Sequence, residues 1–169
     1  MSSRHLARSI VVQSLYQWDF FNKDKEVLGR AIKENIENFS PDVKDIKFIN
    51  RMIQEIVIHQ EEIDEQIVKV APEWPTDQIP IIDRNILRIG LYELLYGDKK
   101  AVPPKVAIDE AIELAKSFGG ENSGKFINGV LGTIYKECSK LAERVELAER
   151  ADNKYHNAGI TKQKKRNRF

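Results

Sequence analysis

Seven apolar positions toward the C-terminal end, Ile127, Leu131, Ile134, Cys138, Leu141, Val145 and Ala148, follow one another at spacings of four and three without a miss. Residues three and four apart share one face of a helix. About three heptads of this kind predict a long final helix that starts near Asn122 or Ser123 and reaches Arg150. Gly129 and Gly132 fall inside it at a propensity cost of roughly 1 kcal/mol each relative to alanine. That cost implies close approach of another helix backbone. Cys138 lies on the stripe and reads as a buried thiol.

The same periodicity runs through the rest of the chain, and no alternating strand pattern competes with it. Ala7, Val11, Leu15 and Trp18 mark a first helix over about residues 3–21. Leu28, Ile32, Ile36 and Phe39 mark a second. Ser40 and Pro41 read as an N-cap followed by proline at the first helical position. Ile46, Ile49, Ile53 and Ile56 form the next stripe. Ile63, Ile67 and Val70 continue it past the polar run at His59 to Glu62, as one long helix or as two. Pro72, Trp74, Pro75 and Pro80 punctuate a connector. Beyond it, Ile82, Ile86, Leu87, Ile89, Leu91, Leu94 and Leu95 are apolar on most sides, as in a central, buried helix. Ala107, Ile108, Ala111, Leu114, Ala115 and Phe118 form another, which ends at the glycine stop Gly119-Gly120. The expected architecture is all-α with six to eight helices. Residues 1–152 form the domain, with an N-terminal helix group over about 3–71 and a C-terminal one over about 76–150. Residues 153–169 read as a basic tail, disordered when unbound.

Charge is unevenly placed. Of a net +1, residues 151–169 carry +5 and the remaining 150 residues −4. A mildly acidic body excludes a general electrostatic attraction for nucleic acid, so any such site must be local. One cysteine can form neither an internal disulfide nor a structural zinc site. No apolar run approaches the ~18 residues of a membrane span, and no signal-peptide core follows Arg4 and Arg8. These features place the chain in the cytoplasm, away from membranes.

Chemistry is sparse. His5, His59 and His156 have no metal-site spacing. With no strand there is no strand-borne phosphate loop. The acids of Glu61, Glu62, Asp64 and Glu65 read as a solvated helix face. The expectation is a protein that is not an enzyme and holds no cofactor and no metal.

Three segments are more specific. Arg4–Arg8 leads into Val12–Tyr16. Ile82–Leu94 reads IDRNILRIGLYEL. Val106–Gly119 reads VAIDEAIELAKSFG and continues through Ser123–Leu131 as SGKFINGVL. In order and spacing, over about residues 4–140, these resemble the NusB family of bacterial transcription antitermination factors. The resemblance implies two small helix bundles packed together and no catalytic activity. It implies binding of the boxA element of nascent ribosomal RNA as a pair with NusE, a small-subunit ribosomal protein. Other Nus factors and RNA polymerase follow as indirect partners. Some members dimerise, so a homodimer is compatible with it.

On that basis Arg4, His5 and Arg8 are candidate RNA contacts, with Arg4 and Arg8 neighbours at i, i+4. Members often carry a denser arginine cluster where this chain has His5 and Leu6. Lys125 and Phe126 pair a cation with an aromatic ring at a helix start, suited to a phosphate and an unpaired base. Asn122 and Ser123 add helix N-terminal N–H groups. Phe126 also reads as a core residue. Tyr16 and Glu93 are candidate contacts to the protein partner, with Arg84 or Arg88 as an internal alternative for Glu93. The cations Lys162, Lys164, Lys165, Arg166 and Arg168 are a further candidate RNA contact or a solubilising tail. Two other classes fit part of the pattern. One is the RNA-binding module of ribosomal RNA cytosine methyltransferases, which requires a following cofactor domain. The other is a homo-oligomeric helical scaffold using the final heptad stripe.

Overall fold

In the computed structural model, which describes residues 3–39 and 43–166 except the side chains of 152 and 154–166, two helices are buried nearly all round. In α1 (Ser3–Phe20) ten residues are buried, from Ala7 through Asp19. In α5 (Ile81–Leu95) eleven are buried, from Asp83 through Leu94. These helices lie against each other and organise the remainder. α2 (Lys25–Phe39) packs on α1, α3 (Ile46–Ile58) on α1 and α5, α4 (Gln60–Val70) on α3 and α5, and α6 (Pro104–Phe118) on α5 and α1. The first turns of α7 (Ser123–Arg166) add Ile127, Val130, Leu131 and Ile134 to the same core. Seven helices and no strand are present among the described residues, in line with the periodicity.

The punctuation has local causes. Asn22 and Lys23 adopt positive φ, 58° and 63°, and the Lys23 N–H donates to the Trp18 carbonyl, closing α1 with a left-handed turn. The Asp24 carboxylate then accepts from the N–H groups of Glu26 and Val27 at the start of α2. Helix α3 is capped by Asp45, which accepts from Phe48 N–H at 3.3 Å. Ser40 and Pro41 lie outside the described residues. The polar run at His59 proves to be a break between α3 and α4, with His59 ending one helix and preceding the other.

Helix α2 buries Ala31 and Asn35 most deeply, and the stripe Leu28, Ile32, Ile36 and Phe39 is only half-buried beside them. The small side chain of Ala31 and a hydrogen bond from Asn35 to the Ser14 hydroxyl, 3.0 Å, mark the face toward α1. The expected close approach at Gly129 and Gly132 is not found, since a Cβ on either would meet nothing within 4 Å. The tight contact is at Gly90 of α5, where a Cβ would fall 2.7 Å from Leu131 Cδ1. Gly119 ends α6 in an extended conformation with no need of positive φ. Its Cβ would collide with Ser123 at 2.6 Å.

The chain divides into two compact units, Met1–Ile134 and Tyr135–Phe169. The core just described belongs to the first. In the second, Cys138 is exposed rather than buried, and Leu141, Val145 and Leu147 are 50% or more exposed. Past Ile134 the heptad positions Cys138, Leu141 and Val145 are thus exposed. The backbone of α7 stays helical through Arg166, beyond the expected end at Arg150. The five tail cations, read as an RNA contact or a solubilising tail, lie outside the described side chains.

Candidate nucleic-acid interface

The start of α1 presents Arg4, His5 and Arg8, and each faces an acid from another helix. Arg4 is exposed. Its guanidinium meets Asp45 at 3.0 Å and lies over the Phe48 ring, 4.1 Å from the centroid. His5 Nδ1 meets Glu110 of α6 at 3.0 Å. Arg8 is buried, and its Nε and Nη2 donate to the Glu93 carboxylate at 2.7–3.2 Å. Arg8 and Glu93 are 2% and 4% exposed, so neither reaches solvent. Arg8 as an RNA contact and Glu93 as a partner contact are thus corrected to one buried pair joining α1 to α5. Charge complementarity under the surface explains it, because a lone buried charge is costly and each residue supplies the other's counter-ion. Neither Arg84 nor Arg88 serves Glu93.

Those two arginines belong to a second internal network. Arg84 and Arg88 both donate to Asp19 of α1, which also accepts from Asn85 at 3.0 Å. Arg88 makes a two-pronged contact with Asp64 of α4 at 2.8 Å. Asp64 is therefore held by the core face of α4 and is not part of a solvated acidic run. Burial raises the Asp19 carboxyl, but hydrogen bonds and charge from Arg84 and Arg88 outweigh it and hold the group below its ordinary value. Both networks are structural, and they fix α1 and α5 beneath any surface that α1 presents.

At the other end of α6, a turn through Gly119–Asn122 leads into α7. The four residues expected there divide. Ser123 is buried, and its Oγ accepts from Gly120 N–H at 2.9 Å, so its hydroxyl shapes the turn and does not face outward. Asn122 and Lys125 are exposed. Phe126 combines both expected readings, because one part packs against the core and another lines an open cavity of about 480 Å³. Across that cavity stands Trp74 from the proline-rich connector, its ring edge-on to Phe126 with centroids 6.3 Å apart. Sequence reasoning used Trp74 only as punctuation. A tryptophan between two prolines was the available signal. On the opposite side of the turn, Lys116 and Lys125 line a second open cavity of about 530 Å³.

Tyr16 is 38% exposed and stacks on Phe20, centroids 6.1 Å apart, and Phe20 meets Phe21 edge-on at 5.1 Å. Phe20 and Phe21 are themselves more than half exposed. Three neighbouring surface aromatics at the end of α1 form an apolar patch of the sort that marks a protein contact. Among the described residues no group of three or more His, Cys, Asp or Glu could hold a metal ion. Among the described residues no helix is long and apolar enough to cross a membrane.

Comparison with known proteins is consistent across sequence and structure. The sequence profile of the NusB family matches residues 5–136. A transcription antitermination protein NusB from Dehalococcoides mccartyi (strain CBDB1) is 42% identical over 146 residues, spanning 86% of this chain and 98% of its own. A crystal structure of the antitermination factors NusB and NusE in complex with dsRNA contains a chain similar to this one at TM-score 0.69 and 33% identity, over 81% of this chain and 98% of the other. NusB of T. maritima is similar at TM-score 0.68 and 35% identity, over 81% and 92%.

Proposed function

The chain belongs to the NusB family, and on that premise we propose that it binds boxA-type RNA of nascent ribosomal transcripts as a pair with NusE, within the Nus complex on RNA polymerase. Members of this family are transcription antitermination factors, and they act by binding rather than by catalysis. The observation that carries the RNA reading is the start of α7. There Phe126 and Trp74 open together onto one cavity, and the exposed cation Lys125, next to Phe126 in sequence, lines a second cavity on the other side of the turn. Single-stranded RNA is read by such stacking platforms beside local positive charge. Arg4 is the exposed cation of the other helix start, and its place over Phe48 leaves the planar guanidinium at the surface. The protein partner is assigned to Tyr16 with Phe20 and Phe21.

A titration of boxA-like RNA, with and without the cognate NusE protein, tests the reading. NusE is expected to tighten binding. Phe126→Leu, which keeps an apolar filler but removes the flat ring, is expected to weaken it about tenfold, within the value of one base stacked on an aromatic. Lys125→Ala is expected to lower the log–log salt slope by about 0.7. If NusE brings no gain and neither substitution weakens binding, the assignment is wrong.

The exposed Leu141, Val145 and Leu147 of the second unit favour self-association as a second reading. Sedimentation velocity at several concentrations is expected to show a dimer that Leu141→Glu abolishes. A monomer at every concentration removes this reading without touching the first.

A further inference from the structure

Arg51, on α3, is a guanidinium with nothing to hold. It is exposed and makes no hydrogen bond or ion pair among the described residues. Tyr92 of α5 is a phenol in the same condition. It is 8% exposed, yet its hydroxyl has no hydrogen-bond partner among those residues. Nor is the hydroxyl sealed in, since the sealed and unpartnered side-chain atom among them is Asp83 Oδ1. It opens on a cavity of about 340 Å³ between the start of α1, α3 and the end of α5, which Arg51 and Arg4 also line. Burial and the charges of Glu55 and Glu93 push the phenol above its ordinary value of 10.0, against the pull of Arg51. It therefore keeps its proton and stays a donor.

The other polar groups on this cavity are engaged. Glu93 gives both carboxylate oxygens to Arg8, Arg4 meets Asp45, and Asp98 accepts the Lys100 N–H at 2.9 Å. Arg51 and Tyr92 are left as donors without an acceptor. An acceptor-only anion completes them. The bordering acids disfavour a doubly charged one, so a singly charged diester fits better than a free phosphate. Phe48, Met52 and Val102 supply apolar walls.

We propose that this cavity takes one phosphodiester of a bound RNA strand, with its oxygens on the Arg51 guanidinium and the Tyr92 hydroxyl and its ribose against the apolar walls. The inference rests on the RNA-binding reading above and adds to it two residues away from both helix starts. Arginine grips a phosphate with two parallel N–H groups. A carboxylate of a protein partner would satisfy the same donors. Two features favour RNA: the cavity has the size of those that take small-molecule units, and Arg4, the exposed cation of the RNA reading, stands on its wall.

The test uses the full chain with its NusE partner and boxA-like RNA, followed by fluorescence anisotropy over a range of salt. Arg51→Ala is expected to weaken binding about tenfold, the scale of a hydrogen bond to a charged group. It is also expected to lower the log–log salt slope by about 0.7, the value of one phosphate on a single strand. Tyr92→Phe, which deletes the hydroxyl alone, is expected to weaken binding about threefold and to leave the slope as it was, because a neutral donor releases no counterion. Both variants are expected to keep the parent's thermal midpoint, since neither removed group makes a bond inside the fold. A scan then replaces one linkage at a time by a neutral methylphosphonate on a 2′-deoxy nucleotide, read against the same strand with that nucleotide alone. One linkage is expected to cost the parent about tenfold and Arg51→Ala about twofold or less, the mark of two groups in one contact. A salt slope in Arg51→Ala equal to the parent's, or a scan in which no linkage distinguishes the two proteins, overturns the pocket and leaves RNA binding at the helix starts standing. Weaker association of Arg51→Ala with NusE in the absence of RNA would assign the cavity to a partner carboxylate and overturn it as well. So would competition by inorganic phosphate that Arg51→Ala abolishes, since the occupant would then be a free phosphate. If boxA-like RNA does not bind the parent in the presence of NusE, the broader reading falls and takes this one with it.

Discussion

Arg88→Met is expected to lower the unfolding free energy by about 3–5 kcal/mol, the range found when one member of a buried ion pair is removed. Urea denaturation followed by far-UV circular dichroism reads the loss directly. Arg88 is 2% exposed and ties three helices, bonding Asp19 of α1, Asp64 of α4 and Asn85 of its own helix. Methionine fills much of the same volume, so packing changes little and the charge effect dominates. It leaves Asp19 buried with Arg84 and Asn85 still attached, and Asp64 with Gln60 alone among the bonds described. Lys116→Ala is the control. Its partner Glu113 is exposed, and such pairs contribute about 0–1 kcal/mol.

The same network sets a pH dependence. The folded-state pKa of Asp19 lies below its ordinary value of 3.8, because the arginine contacts outweigh burial. As pH falls, the unfolded chain takes up a proton at this residue before the folded one does. The stabilisation is complete above the unfolded value and is lost as pH falls through the folded one. The parent protein is therefore expected to lose stability steeply below about pH 4, and Arg88→Met to show a shallower decline.

Glu93→Gln is expected to cost about 3 kcal/mol, at the lower end of the same range. The change is isosteric and leaves the Arg8 guanidinium buried without its carboxylate. Glu110, whose Oε2 lies 3.9 Å from Arg8 Nη1, relieves part of the loss. The double variant Arg8→Met with Glu93→Leu is expected to regain most of it, since replacing a buried pair by apolar residues is often neutral. A double variant no more stable than Glu93→Gln alone would mean that the pair holds α1 and α5 in register and does more than neutralise charge. Because Arg8 and Glu93 both lie beneath the surface, RNA affinity at temperatures where Glu93→Gln remains folded is expected to be unchanged.

The sequence carries the helices more fully than it carries the site, for physical reasons. Burial of one face imposes a period on residues such as Ala7, Val11, Leu15 and Trp18, and that period survives in one dimension. Prolines and glycines mark ends because their backbone constraints are local, as at Pro104 in the first turn of α6 and Gly119 at its close. Periodicity does not record what covers a stripe. It continues from Ile134 to Val145 unbroken, yet the core stops at Ile134. Polar partners are chosen across long stretches of chain, 85 residues for Arg8 with Glu93 and 69 for Arg88 with Asp19. Nothing local distinguishes an arginine that will face water from one that will be enclosed. Arg4 and Arg8 lie one turn apart and meet opposite fates. At the α7 start the residue types of Lys125 and Phe126 were legible, but Trp74 came to Phe126 only through the fold.

The burial of α1 on most of its sides has a consequence for how the chain is made. Helix α1 leaves the ribosome before α5, and its buried charges find their partners only when α5 follows, more than sixty residues later. Until then α2 and α3 cover part of its apolar surface, while the charges of Arg8 and Asp19 have water for company. Contacts of such long sequence separation are slow to form and leave intermediates open to aggregation. Synthesis of α5 is thus the step that commits the chain. Earlier fragments are helices awaiting a centre, and the core closes late, when the first turns of α7 bring Ile127 and Leu131 against it.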